Sequence, residues 1–71
     1  MISKMKIEEL RKHYPKGTRV RLVYMEDVQA PPAGCLGTVR MVDDIGTIHV
    51  SWDNGSSLGA VYGVDRIEKL A

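Results

Sequence analysis

The chain contains no phenylalanine, one tryptophan and three tyrosines, which restricts any aromatic binding strip to Tyr14, Tyr24, Trp52 and Tyr62. It has a single cysteine, Cys35, so no internal disulfide can staple the fold. That thiol reads as a small half-buried apolar group, because no neighbouring motif would activate it. No segment approaches the roughly 20 consecutive apolar residues that span a bilayer, so no membrane association is expected. The opening residues Met1-Ile2-Ser3-Lys4 lack the apolar core of a signal peptide. With the unpaired thiol, this makes the cytoplasm the expected location. Catalytic signatures are missing as well, with no nucleophile elbow, phosphate loop or catalytic dyad. His13, His49 and Cys35 lack the close ligand spacing of a zinc site. The expectation is therefore a non-enzymatic chain with no catalytic residues, no metal and no cofactor.

What is present fits a small folded domain. The chain has 71 residues and 44% hydrophobic residues, with no low-complexity run. A chain this short buries only about 60% of the surface its unfolded form exposes. Tight packing, a partner or a homo-oligomer would add to that burial.

The net charge of +1 conceals a split. Up to Arg21 there are seven bases (Lys4, Lys6, Arg11, Lys12, Lys16, Arg19, Arg21) against Glu8 and Glu9, a balance of +5. Beyond it, Arg40, Arg66 and Lys69 face seven acids, a balance of −4. A segregated basic arm is the footprint expected of a chain that attracts an acidic partner or nucleic acid.

The pattern along the chain predicts an N-terminal helix over 1–13 and an all-β domain over 14–71. Ser3 is placed to cap the helix, Ile7, Leu10 and Tyr14 form its apolar stripe, and Pro15 ends it. A first strand over 18–25 puts Val20, Leu22 and Tyr24 on one face and Arg19, Arg21, Val23 and Met25 on the other. Residues 26–36 form a loop stiffened by Pro31-Pro32. Gly37 opens a second strand over 38–42 with Val39 and Met41 inward, and Asp43-Asp44-Ile45-Gly46 turns the chain through carboxylate-to-backbone hydrogen bonds. The third strand, over 47–52, alternates so that Ile48, Val50 and Trp52 point inward while His49 points outward, paired across the hairpin with Arg40 or a neighbour. Asp53-Asn54-Gly55 makes the next turn, since Gly supplies a positive φ. A fourth strand over 57–62, a helical turn over 63–66 and a short closing strand over 67–70 complete a small five-stranded SH3-like barrel with a short N-terminal α-helix.

Several segments carry a family likeness. They are Tyr14-Pro15-Lys16-Gly17-Thr18-Arg19-Val20, Gln29-Ala30-Pro31-Pro32, Gly37-Thr38-Val39, Val42 to Val50 and Trp52-Asp53-Asn54-Gly55-Ser56-Ser57-Leu58. In these the chain resembles the bacterial family called domain of unknown function 4314. That resemblance implies an SH3-like barrel, occurrence in Gram-positive bacteria and their mobile elements, and no known activity or catalytic residue to carry over. Gly34-Cys35-Leu36-Gly37-Thr38-Val39 is similar to the Gly-x-x-Gly-x-Val of KOW motifs, which implies binding of RNA or protein. His49 to Gly55 is similar to Mib/Herc2-type SH3-like domains, which implies binding of protein.

The functional expectation is a small binding or adaptor module that engages another protein. The alternative is a nucleic-acid-binding accessory protein that uses the basic helix and first strand. The residues expected to carry binding are Lys4, Arg11, Lys12, Lys16, Arg19 and Arg21, with Tyr24 and Tyr62 as aromatic contacts.

Overall fold

The computed structural model describes residues 2–70. Helix α1 (Lys4–His13) starts where Ser3 accepts a hydrogen bond from the Lys6 amide at 3.1 Å. It closes with the Tyr14 amide donating to the Leu10 carbonyl at 2.8 Å, one residue before Pro15. Arg11, Lys12 and His13 occupy the last turn, where positive charge opposes the helix dipole. Ile7 and Leu10 are buried and Tyr14 is half-buried, which is the stripe expected from their spacing.

Five strands follow: β1 (Arg19–Tyr24), β2 (Leu36–Val42), β3 (Thr47–Trp52), β4 (Ala60–Val61) and β5 (Arg66–Lys69). They form one antiparallel sheet in the order β4-β3-β2-β1-β5. The sheet is not closed by a β4–β5 ladder. Its two ends are tied instead through Asp65, whose carboxylate accepts from the Val61 amide and from the Glu26 amide, each at 2.8 Å.

Val20, Leu22, Val39, Val42, Ile48, Val50, Trp52 and Ala60 pack into one core, which Leu10 joins from the helix and Met25 from the end of β1. Trp52 is 3% exposed, as its inward register predicts, and its indole N–H donates to the Leu58 carbonyl at 2.9 Å. Gly37 lies directly under this aromatic ring. A Cβ added there would fall 2.6 Å from Val50 Cγ1 and 2.8 Å from Trp52 Cε3, so only glycine lets the sheet and the indole approach.

Two register shifts depart from simple alternation. One lies between Leu22 and Tyr24 and turns Met25 into the core and Tyr24 outward, reversing the face predicted for Tyr24. The other lies between Val39 and Met41. It puts Met41, 53% exposed, at the surface and Val42 inside, where alternation predicted the opposite for Met41. One extra residue in a strand inverts the phase of everything after it. The same shift brings Met41, not Arg40, opposite His49.

The predicted fourth strand over 57–62 shrinks to Ala60–Val61. Residues 56–59 spend their polar groups locally: the Leu58 carbonyl binds Trp52, and the Leu58 amide donates to Ser56 Oγ at 3.4 Å. Residues 62–64 form a hydrogen-bonded turn, with the Val64 and Asp65 amides donating to the Val61 carbonyl. The β2–β3 connection ends in Gly46 and the Asp53-Asn54-Gly55 turn in Gly55, both with positive φ.

Candidate binding surface

Three of the six predicted cations, Arg11, Arg19 and Arg21, are already committed within the fold. Arg19 clasps Asp53 through two nitrogens, at 3.0 and 2.7 Å, and also donates to Thr38 Oγ1 at 2.8 Å. The carboxylate raises the Arg19 pKa, and the guanidinium in turn lowers that of Asp53. Arg21 binds Glu68 on the neighbouring strand β5, its Nε donating at 2.7 Å. Arg11 donates from Nε to the Val42 carbonyl at 3.1 Å and from Nη2 to Asp44 at 2.8 Å, which holds the helix against the β2–β3 hairpin. Lys4, Lys12 and Lys16 are exposed and make no ion pair among the described residues.

Asp43 illustrates a second commitment. Its Oδ1 accepts from the Ile45 and Thr47 amides at 3.0 and 2.9 Å, the turn-stabilising pattern expected of it. Its Oδ2 lies 2.8 Å from His49 Nε2, so the partner of His49 is Asp43 and not Arg40. Burial pushes the Asp43 carboxyl up, but the bonds from His49, Thr47 and Ile45 outweigh it and hold the group below the usual carboxylate value. Cys35 is half-buried against the core.

The apolar surface is distributed differently. A groove of about 820 Å³ lies between α1 and the two edges of the sheet, lined by β1 and β5 on one side and by β4 and residues 62–65 on the other. Tyr14, Tyr24, Tyr62, Val23, Val61 and Val64 line it. Tyr24 is 57% exposed and Tyr62 47% exposed, so the two predicted aromatic contacts share one concavity. Half of the large hydrophobic side chains left exposed among the described residues, five of ten, lie on this one groove. Scattered single apolar residues are ordinary, whereas these five share one concavity.

Polar groups frame the groove without filling it. The Lys6 ammonium sits 5.0 Å from the Tyr62 ring centroid and 3.4 Å from Glu9 Oε2. Its contact with Tyr62, and then its pair with Glu9, raise its pKa. Lys6, Glu9 and Arg66 were not among the residues expected to bind. The helical spacing of Lys6 and Glu9, three apart, is a sequence signal for their pairing, but nothing local announces the tyrosine beneath. Burial raises the Tyr14 pKa, and the His13 ring stands edge-on to Tyr14 with centroids 4.6 Å apart.

Fold and surface together define a small β-sheet domain with a capping helix and one aromatic-lined groove. The family model described as "Domain of unknown function (DUF4314)" matches residues 3–70, and the chain belongs to that family. Comparison with curated proteins and with solved structures returned no match.

Proposed function

We propose that the chain is a small non-enzymatic binding module, an SH3-like barrel in architecture, that holds an extended segment of a partner protein in the groove beside α1. The carrying observation is the convergence of exposed Tyr24, Tyr62, Val23, Val61 and Val64 on one concavity. Tyrosine suits such a role because its ring gives apolar contact area while its hydroxyl stays wet. The barrel reading is supported by the strand order β4-β3-β2-β1-β5 and by the Asp65 tie between the two ends of the sheet. A binding role is further supported by the framing charges, since Lys6 pairs with Glu9 and Asp65 spends its oxygens on two backbone amides.

Protein is favoured over nucleic acid as the partner because the first-strand cations Arg19 and Arg21 are engaged with Asp53 and Glu68. Phosphate contacts would have to break those pairs. The unpaired thiol agrees with a cytoplasmic setting.

The test is selection of binders from a displayed random-peptide library, followed by mapping of amide chemical shifts. The expected outcome is peptides whose signals cluster on Val23, Tyr24, Val61, Tyr62 and Val64 and which are lost on Tyr24→Thr/Tyr62→Ser. Peptides that map to the Arg19 and Arg21 surface, or that bind the double variant equally, overturn the reading.

A further inference from the structure

The groove has a neighbour of opposite character. A shallow hollow of about 240 Å³ lies between the end of α1 and the C-terminal end of β2. Arg11, Lys16 and Arg40 line it together with Tyr14, Pro15 and Met41, and no carboxylate is among its lining residues. Lys16 and Arg40 make no ion pair among the described residues. Arg11 is anchored by the Val42 carbonyl, and its partner Asp44 has a side chain 98% exposed, which leaves that pair weak in water. The register shift between Val39 and Met41 creates this surface, because it leaves both Arg40 and Met41 outward. Tyr14 is a wall of the hollow and of the groove alike.

We infer that the two depressions form one bipartite site, and that the partner segment carries a run of acidic residues adjoining the apolar stretch that fills the groove. The inference rests on the groove reading and adds the chemistry of the ligand. Charge complementarity selects the occupant, since Lys16 and Arg40, unpaired among the described residues, converge with Arg11, whose exposed partner Asp44 lies outside the lining. A protein segment fits better than a nucleic acid because continuity through Tyr14 demands an apolar portion next to the charged one. An acidic tail would raise the association rate as well as the affinity, and both gains would shrink with salt.

A groove-binding peptide from the library is extended at either end with glutamates or, as control, with glutamines. Fluorescence anisotropy of the labelled peptides then reads the affinities. The expected result is about fivefold tighter binding of the glutamate form at one end, from two or three exposed ion pairs. That gain should disappear at high salt and in Lys16→Gln/Arg40→Gln, a double variant that removes charge while keeping length. Equal affinity of the glutamate and glutamine forms at both ends overturns the inference while leaving the groove reading intact. So does a gain that survives in the double variant. A labelled single-stranded oligonucleotide that binds more tightly than the glutamate peptide, and competes with it, overturns it in favour of nucleic acid. Loss of every peptide on Tyr24→Thr/Tyr62→Ser is the separate check on the groove itself.

Discussion

The outer surface of the central strands and the groove beside α1 are both exposed, yet they have opposite chemistry. On the strands, each predicted arginine meets a carboxylate brought to it by the fold: Arg19 meets Asp53, and Arg21 meets Glu68. At the groove, Tyr24, Tyr62, Val23, Val61 and Val64 stay exposed, with only the Lys6 ammonium over the Tyr62 ring. Exposed ion pairs contribute little energy, on the order of 0–1 kcal/mol each, but they neutralise charge and discourage adventitious partners. Exposed apolar side chains gain nothing from water and can gain from a partner. The difference separates a surface whose charges are paired from one whose apolar side chains are left in water. The fold also cancels part of the charge split along the sequence, since Arg11, Arg19 and Arg21 of the basic first third pair with Asp44, Asp53 and Glu68 of the acidic remainder.

The comparison requires that the strand surface be scaffold, and the core beneath it gives the largest expected effect. Gly37→Ala would drive a methyl group into Val50 and Trp52. Overpacking of this kind costs about 1–3 kcal/mol, a fall in melting temperature of roughly 5–20 °C for a domain this size. Thermal unfolding by circular dichroism checks it, and an unchanged Tm would mean that Val50 and Trp52 give way to the added methyl without cost.

The next effect concerns the β2–β3 hairpin. Asp43→Asn keeps an acceptor for the Ile45 and Thr47 amides but loses the charge facing His49. A loss of about 1 kcal/mol at neutral pH is expected. Because the folded-state pKa of Asp43 lies below its ordinary value of 3.8, its contribution is present above that value and is lost as the pH falls through the folded one. The gap between wild type and variant should therefore close below pH 3.8. Urea titrations across that range measure it, and a gap that persists at lower pH would assign the effect to shape instead of charge.

Much of the scaffold was legible in the sequence. The Ser3 cap, the stop before Pro15, the inward run Ile48, Val50, Trp52 and the Gly55 turn all rest on local rules, and each is where those rules put it. The register shifts were not legible, because no glycine or proline marks either place. Their consequences fall on the proposed binding surface: Tyr24 at the groove, and Arg40 with Met41 at the hollow. The Arg19–Asp53 pair was equally hidden, since its members stand 34 residues apart and meet only through the order of the strands. The candidate residues were therefore named by type, while their division into committed and uncommitted groups came from topology.

A smaller effect sharpens the strand side of the comparison. A double-mutant cycle on Arg19→Ala and Asp53→Ala should return a small favourable coupling at low salt, because the contact is bidentate though exposed. Added salt should reduce it. A coupling near zero would make the pair decorative and return Arg19 to the pool of cations open to a ligand.

The smallest expected effect on stability is the most telling one. Tyr24→Thr keeps the strand preference of β1 while removing the ring, and Tyr62→Ser falls in a turn where the ring contributes only its contact with Lys6. If these side chains are held for a partner, their loss should move the unfolding free energy by no more than about 0.5 kcal/mol, the ordinary range for surface substitutions. The same double variant should abolish capture of groove-binding peptides. A large loss of stability would show instead that the tyrosines serve the fold, and the groove would then be a seam in the scaffold. Residues that cost nothing to fold and much to bind are the signature of a surface kept for another molecule. That combination, read from one variant in two assays, decides between the readings.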